Sequence, residues 1–263
     1  MIYHEDDKEG LRRFLQQPSV IAGRKNCEVL GLQISDMTNW KNSEAWVAKI
    51  WSLIWNNESP KRLITIYWSR NNLAGALDAS KWKKLTYLSC YHNQLTALDV
   101  STNTELKELI CSENPLTALD VSVNPELTTL WCSGNQLTTL NMSKNMALTE
   151  LWCYNNRLTL SDLFAASERI TKLYKKWLGT QNLLPQTIST GRELFSKQAV
   201  FNGIYTNYAV TKNNSPAPES DITVTDGKII FNRSGNYTVT MTNEAVKSYY
   251  YPAKVVVEVE VVD

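Results

Sequence analysis

Residues 106–114 are Leu-Lys-Glu-Leu-Ile-Cys-Ser-Glu-Asn, and this pattern, L-x-x-L-x-C-x-x-N, occurs four times in the chain. The four copies begin at Leu85, Leu106, Leu127 and Leu148, a spacing of 21 residues. A degenerate copy precedes them, with Gly75 as an inserted residue. The repeated positions are Leu88, Leu109, Leu130 and Leu151, then Cys90, Cys111, Cys132 and Cys153, then Asn93, Asn114, Asn135 and Asn156, with Leu63, Ile66, Trp68 and Asn71 in the degenerate copy. Agreement at so many positions excludes chance and indicates a repeat architecture.

The pattern is typical of a leucine-rich repeat in which cysteine replaces one leucine. Each block predicts a short strand, a turn and a return segment, and one block alone cannot bury its apolar side. Stacked in parallel, the strands lie about 4.8 Å apart and share one core. We expect the asparagines to form a ladder in which their side-chain amides bond the backbone of the turns. The sequence therefore predicts an α/β leucine-rich repeat solenoid over residues 63–180.

The row of four cysteines has two interpretations, a metal or redox site and a ladder of small apolar side chains. In-register parallel strands keep neighbouring Cβ atoms slightly farther apart than the roughly 3.5–4.5 Å of a disulfide. A straight row also lacks the converging ligands of a tetrahedral zinc site. We therefore expect core packing, with all cysteines reduced and Cys27 buried outside the repeats.

Residues 1–62 are predicted to form an α/β cap, since the open end of a solenoid must be closed. Apolar periodicity predicts a helix over residues 5–17 and a strand over residues 27–34. Asn42-Ser43-Glu44 is a helix-capping sequence, and the helix after it is expected to run to about Trp55. The tryptophans of this region are expected to be cap core; they are Trp40, Trp46, Trp51 and Trp55.

After Asn156 the repeat pattern decays, and Leu158–Trp177 is expected to form a last irregular repeat with a short helix near Ser161–Ser167. Residues 187–263 have a different texture, with short alternating segments and tight turns at Asp226-Gly227 and Ser234-Gly235. This texture predicts an all-β immunoglobulin-like sandwich without an inter-sheet disulfide. The predicted strands are Ile204–Val210, Asp221–Val224, Lys228–Phe231, Asn236–Thr242 and Val255–Val262.

Composition excludes several classes of function. The 263 residues carry a net charge of +1, which argues against a nucleic-acid binder. No apolar stretch is long enough to span a bilayer, and the acidic start of the chain is not a signal peptide. Two histidines and the absence of catalytic motifs predict no enzyme, no catalytic residues, no metal and no cofactor. Asp99 and Asp120 are interpreted as turn residues in preference to calcium ligands.

The full block, L-T-x-L-x-C-x-x-N-x-L-T-x-L-D-V-S-x-N, resembles the repeats of internalin-type bacterial surface proteins. It is most similar to the J type, which also has 21-residue repeats and a cysteine ladder. A second resemblance is to surface leucine-rich repeat proteins of gut bacteria that end in a segment like Val224–Thr242. These resemblances imply a non-enzymatic adhesin or binding protein, exported and held at the cell envelope. The chain shows no export signal, lipidation cysteine or wall-anchoring tail, so an extracellular or envelope location is an expectation from the resemblance.

Strand residues that flank the inward leucines are expected to lie on the concave side of a leucine-rich repeat. Here these positions are unusually aromatic, which is typical of a recognition patch. The alternative is that the rings only stack on each other between rows, as Trp131 on Trp152. The candidate partner-binding residues are Tyr67, Tyr87, Tyr91, Glu108, Ile110, Trp131, Glu150, Trp152 and Tyr154.

A protein or peptide partner is favoured over a glycan, because polar groups around these rings are sparse. Glycan binding and a structural spacer without its own ligand remain the alternatives. We expect a monomer with no nucleic-acid partner and no membrane insertion.

Overall fold

The computed structural model describes residues 2–33, 47 and 50–263. The chain divides into two compact units, Met1–Gln136 with Asn141–Glu150, and Leu137–Leu140 with Leu151–Asp263. Within the described part, no helix has the length and apolar character needed to cross a bilayer. The domain boundaries expected at 62/63 and 180/187 stay predictions.

The first unit holds a small helical region and most of the repeat strands. Its strands are short, as expected for a leucine-rich repeat. The elements are α1 (Glu5–Leu15), α2 (Asn26–Val29), β1 (Leu53–Trp55), β2 (Leu63–Tyr67), β3 (Ala74–Asp78), β4 (Tyr87–Ser89), β5 (Gln94–Asp99), β6 (Glu108–Ile110) and β7 (Thr129–Trp131), and β8 (Glu150–Trp152) begins at its last residue.

The repeat strands of this unit follow the order β1-β2-β4-β6-β7. Strand β1 is antiparallel to β2, and the others are parallel, with Leu88 opposite both Ile66 and Leu109. These three side chains are fully buried, and so are the neighbouring Cys90 and Cys111. Successive blocks therefore share one apolar core, which confirms the leucine-rich repeat fold.

The asparagine ladder satisfies the backbone at the turns. The side-chain amide of Asn114 donates to the carbonyls of Cys90 (3.0 Å) and Cys111 (3.1 Å), and its Oδ1 accepts the Leu95 N–H (3.0 Å). Asn135 makes the equivalent bonds one block later. Buried backbone groups left unpaired here would each cost about 1–3 kcal/mol, so the asparagines are structural, as predicted.

The cap is held to the first repeat by buried polar groups. Asp7 of α1 is fully buried and accepts hydrogen bonds from the Arg62 guanidinium (2.9 and 3.0 Å) and from the Leu63 N–H (2.8 Å). This hydrogen bonding to Asp7 raises the pKa of Arg62. Phe14 stacks on Trp68 with ring centroids 5.2 Å apart, so both ionic and aromatic contacts close this end of the core.

Two predictions for the cap are wrong. Residues 27–34 do not begin as a strand, because Asn26–Val29 is a helix whose start is capped by Glu28 Oε2 accepting the Lys25 N–H (2.8 Å). Leu53–Trp55 is not helical but forms β1, which covers the free edge of β2. The expected helix start at Asn42 lies outside the described residues.

The cap tryptophans are not all core. Trp51 is 86% exposed, against expectation, while Trp55 is half-buried and packs edge-on against Tyr3. Trp40 and Trp46 lie outside the described residues. Cys27 is fully buried, as expected. The most deeply buried tryptophans are instead Trp68 and Trp82.

The second unit contains one helix and many short strands. The predicted helix after Asn156 is present, and its start is capped by the Thr159 hydroxyl accepting the Asp162 N–H (3.2 Å). The elements are α3 (Leu160–Arg169), β9 (Lys176–Trp177), β10 (Thr180–Asn182), β11 (Gln186–Ser189), β12 (Glu193–Leu194), β13 (Val200–Phe201), β14 (Ile204–Tyr205), β15 (Asn207–Lys212), β16 (Ser215–Pro216), β17 (Ile222–Thr225), β18 (Lys228–Phe231), β19 (Gly235–Thr242) and β20 (Lys254–Val262).

Two larger sheets follow the helix, ordered β10-β20-β19-β15-β16 with β11 beside β20, and β12-β18-β17, together with the antiparallel pair β13-β14. Phe231 of one sheet packs against Tyr237 of the other, with centroids 4.8 Å apart. The strand predicted over Ile204–Val210 is broken at Thr206, because its N–H and hydroxyl bond the carbonyls of Ala199 and Gln198. The immunoglobulin-like topology itself stays a prediction.

Candidate functional site

The outward positions of the repeat strands form continuous columns across the first unit. Strand register places Tyr67 beside Ser89, Ser89 beside Ile110, and Ile110 beside Trp131. A parallel column passes through Tyr87 and continues to Glu108 and Thr129. We call the candidate residues on these strand positions the aromatic strand face: Tyr67, Tyr87, Tyr91, Glu108, Ile110, Trp131 and Glu150.

The tyrosines of this face are grouped and only partly covered. Tyr67 is 45% exposed, and its ring centroid lies 4.9 Å from that of Tyr87. Burial raises the pKa of Tyr87, so its hydroxyl is protonated at neutral pH. Arg70 lies over the Tyr91 ring at 5.2 Å and also donates to the Tyr91 hydroxyl (3.1 Å). These contacts fix the rings in place before any partner binds.

Polar groups near the rings are already engaged. The Trp131 indole N–H donates to Glu150 Oε1 at 3.0 Å, and the hydroxyls of Ser69 and Ser89 lie 2.6 Å apart. Ser89 was expected on the exposed face but is buried beneath its neighbours. Among the residues of the face, Tyr67 is exposed and the other six are half-buried.

The second unit holds the other two candidates, Trp152 and Tyr154. Trp152 stacks on Trp177 with centroids 4.5 Å apart and ring planes 10° apart. Tyr154 lies 6.1 Å from the same indole. The alternative interpretation, in which Trp131 stacks on Trp152, stays a hypothesis.

Trp177 ends the last irregular repeat block that the sequence predicts over Leu158–Trp177, and the structure gives this block a strand. Strand β9 pairs in parallel with β8, placing Trp177 beside Trp152. Gln181 then takes the ladder position, donating to the Cys153 carbonyl (3.0 Å) and accepting the Asn156 N–H (3.2 Å). The strand and the ladder position of this block were not identified in the sequence, because α3 lengthens the spacing and Gln replaces Asn. The sequence signal for this strand was Trp177, which occupies the same strand position as Trp152 in the block before.

A buried lysine occupies the inward position of this block. Lys176 lies opposite Leu151 and donates through Nζ to the Ser167 carbonyl at 2.6 Å. Burial lowers the pKa of Lys176, and the charge of Lys247 lowers it further. The lysine thus ends the apolar row by binding the last turn of α3.

A loop of three tyrosines lies against Trp177. The rings of Tyr249 and Tyr250 have centroids 6.5 and 5.0 Å from that of Trp177. A hydrogen bond with Tyr250 raises the pKa of Tyr249. Sequence reasoning missed this loop because its partner strand β9 was not recognised. We call the space beside it the tyrosine cavity; it measures about 360 Å³ and is lined by Tyr154, Asn155, Trp177, Gly179, Thr180, Tyr249 and Tyr251.

The cysteines, which were expected to pack in the core, are buried. Burial raises the pKa of Cys90 and of Cys153 to about 12, and that of Cys111 well above its ordinary value. Thiols at such pKa values are protonated at neutral pH and are poor nucleophiles and metal ligands. None of the five cysteines, all within the described residues, forms a disulfide.

Other candidate groups have local roles. Asp99 and Asp120 accept the N–H groups of Ser101 and Ser122, both at 2.8 Å, as expected for turn residues. His92 is exposed, at a turn with φ of 54°. Across the described ranges, no group of three or more His, Cys, Asp or Glu side chains is arranged to hold a metal ion.

No protein-family model matches the chain, and no curated protein matches it. Among solved structures it is similar to InlP of Listeria monocytogenes, at 19% sequence identity and a TM-score of 0.45, covering 75% of this chain and 58% of that one. It is also similar to the functional domain of InlJ from Listeria monocytogenes, which includes a cysteine ladder, at 21% identity and a TM-score of 0.29, covering 71% and 55%. The chain thus spans less than two thirds of either structure. Both are internalins.

Proposed function

We propose that this chain is a non-catalytic leucine-rich repeat protein that binds a protein or peptide partner on the aromatic strand face, as an adhesin does. The observation that supports this is the partial exposure of grouped rings on short strands. Tyr67 is 45% exposed although Ile66 beside it is fully buried. Exposed apolar area of this kind costs solubility and is typical of interaction sites.

The geometry favours a protein or peptide over a glycan at this face. Tyrosine and tryptophan are the residues that most often dominate protein interfaces. The polar groups beside them bond within the protein, as Glu150 does with Trp131 and Arg70 does with Tyr91. Few groups therefore remain to satisfy the many hydroxyls of a sugar, whereas a peptide side chain can bury itself between rings.

The expected location is extracellular or at the cell envelope. This part of the proposal follows the internalin-type resemblance of the repeats, since adhesion requires an exposed position. No nucleic-acid partner, membrane insertion or cofactor is part of it, and the chain is proposed to act as a monomer.

The test is panning of a phage-displayed peptide library on the immobilised chain, followed by calorimetric titration of a retained peptide. Trp131→Ala should weaken binding about 30-fold, equivalent to about 2 kcal/mol, and combining it with Tyr67→Ala on the same face should abolish binding. The unfolding midpoint in urea should change little, because Trp131 is only half-buried. Met146→Ala is the matched control, since Met146 is 77% exposed and lies outside the strands.

Three outcomes would count against the proposal. A strong loss of stability in Trp131→Ala would mean that the ring is core. Peptides that bind Trp131→Ala and the wild-type chain equally would place the site elsewhere. A chain that retains no peptide would favour the spacer alternative.

A further inference from the structure

The tyrosine cavity differs in chemistry from the aromatic strand face. Four rings, of Tyr154, Trp177, Tyr249 and Tyr251, line it together with the side chains of Asn155 and Thr180. Its volume of about 360 Å³ lies within the range of roughly 300–1,000 Å³ of small-ligand sites. No side chain lining it carries a charge at neutral pH. The cavity thus combines flat apolar walls with uncharged hydroxyl and amide groups.

The walls are fixed by hydrogen bonds in the absence of a ligand. The Tyr249 N–H donates to the Lys176 carbonyl (2.9 Å), and the Leu178 N–H donates to the Ser248 hydroxyl (3.1 Å). These two bonds hold the tyrosine loop against β9. Preformed walls reduce the entropy lost on binding, which matters most for a ligand that makes few contacts.

Backbone strain at Tyr250 supports a functional role for the loop. Its φ is 61°, a left-handed conformation that is uncommon for a bulky residue. Such strain persists only where the surrounding structure imposes it, and it clusters at ligand sites. The strained residue directly precedes Tyr251, which lines the cavity and is 76% exposed.

We propose that the tyrosine cavity binds a saccharide unit of a neutral glycan. The apolar C–H face of a pyranose ring is complementary to the flat face of an aromatic ring. Each sugar hydroxyl both donates and accepts, as do the tyrosine and threonine hydroxyls, and the Asn155 amide offers both functions. Uncharged lining groups match a neutral sugar in preference to a sialic or uronic acid.

The lining argues against the other common ligand of aromatic cavities, a quaternary ammonium group. No Asp or Glu lines the cavity to balance the charge of a cation. The polar lining groups are the uncharged hydroxyls and amide that a neutral sugar can use.

The test uses the full chain on a printed array of oligosaccharides, neutral and acidic, and then calorimetric titration with a neutral glycan that it retains. Tyr251→Ala should weaken binding about tenfold, and Thr180→Val, which removes one hydroxyl and keeps the shape, about fivefold. Tyr174→Ala is the matched control, because Tyr174 is a 57% exposed tyrosine of the same unit that does not line the cavity. Circular dichroism would confirm that each variant is folded.

The inference does not depend on the aromatic strand face. Trp131→Ala should retain the glycan, and Tyr251→Ala should retain the selected peptide. The proposal is overturned if the array retains no glycan or only acidic ones. Equal affinity of Tyr251→Ala and the wild-type chain for the glycan would also overturn it. So would binding of the selected peptide, in place of a sugar, at the cavity residues.

Discussion

The inward and outward sides of the repeat strands β4, β6 and β7 differ in how much their residues vary between blocks. On the inward side, Leu88, Leu109 and Leu130 are the same residue and all are fully buried. On the outward side of the same strands, the register aligns Ser89, Ile110 and Trp131, three different residues. The difference indicates that packing constrains one side in every block, while the residues of the other side vary from block to block.

The largest expected effect separates two adjacent residues of β6. Leu109→Ala should lower the free energy of unfolding by about 3 kcal/mol, because it leaves a cavity in a core that cannot collapse. Ile110→Ala, one residue along and half-buried, should cost about 1 kcal/mol or less. Urea unfolding measures both. Similar losses in the two variants would break the contrast between the sides.

A smaller effect tests the thiol ladder through pH. Burial raises the pKa of Cys90 from 9.0 to about 12, so this thiol ionises between these values only in the unfolded chain. The raised pKa of Cys90 therefore makes a contribution to the free energy of unfolding that is fully present below pH 9. This contribution is lost as the pH rises toward 12. From about pH 8 to about pH 10 the loss is about 1 kcal/mol for one thiol.

Urea unfolding of the wild-type chain and of Cys90→Ala at both pH values gives the comparison. The variant should lose about 1 kcal/mol less on going to the higher pH. Equal losses would mean that Cys90 ionises as readily in the folded chain, in contradiction to a buried ladder.

The smallest expected effect has the opposite sign and concerns the turns between the two sides. The turn position before the ladder asparagine is left-handed in each block. Its residues are Arg70, His92, Glu113, Gly134 and Asn155, with φ between 54° and 64°. His92→Gly should therefore stabilise the fold by about 1 kcal/mol. Gln94→Gly in the adjacent strand should instead destabilise it by about 0.5–1 kcal/mol. Destabilisation by both would show that His92 makes contacts beyond its turn.

The features that could be predicted from the sequence are those imposed on every block. Leu109, Cys111 and Asn114 recur with one period because each block places the same demand on its core. The block ending at Trp177 was predicted only as an irregular repeat, and its strand and ladder residue were not identified, since a helix changes the spacing and Gln181 replaces the ladder asparagine. The tyrosine loop could not be predicted, because it depends on contacts between β9 and a segment about 70 residues later. The prediction for the cap was partly wrong, because pairing with β2 and not local periodicity determines β1.

The most direct test of the contrast between the two sides is hydroxyl-radical footprinting with the selected peptide, read by mass spectrometry. Protection on adding peptide should appear at Tyr67, Tyr87 and Trp131, while oxidation of the control Met146 stays unchanged. Protection at Met146 with none at the three rings would contradict the account.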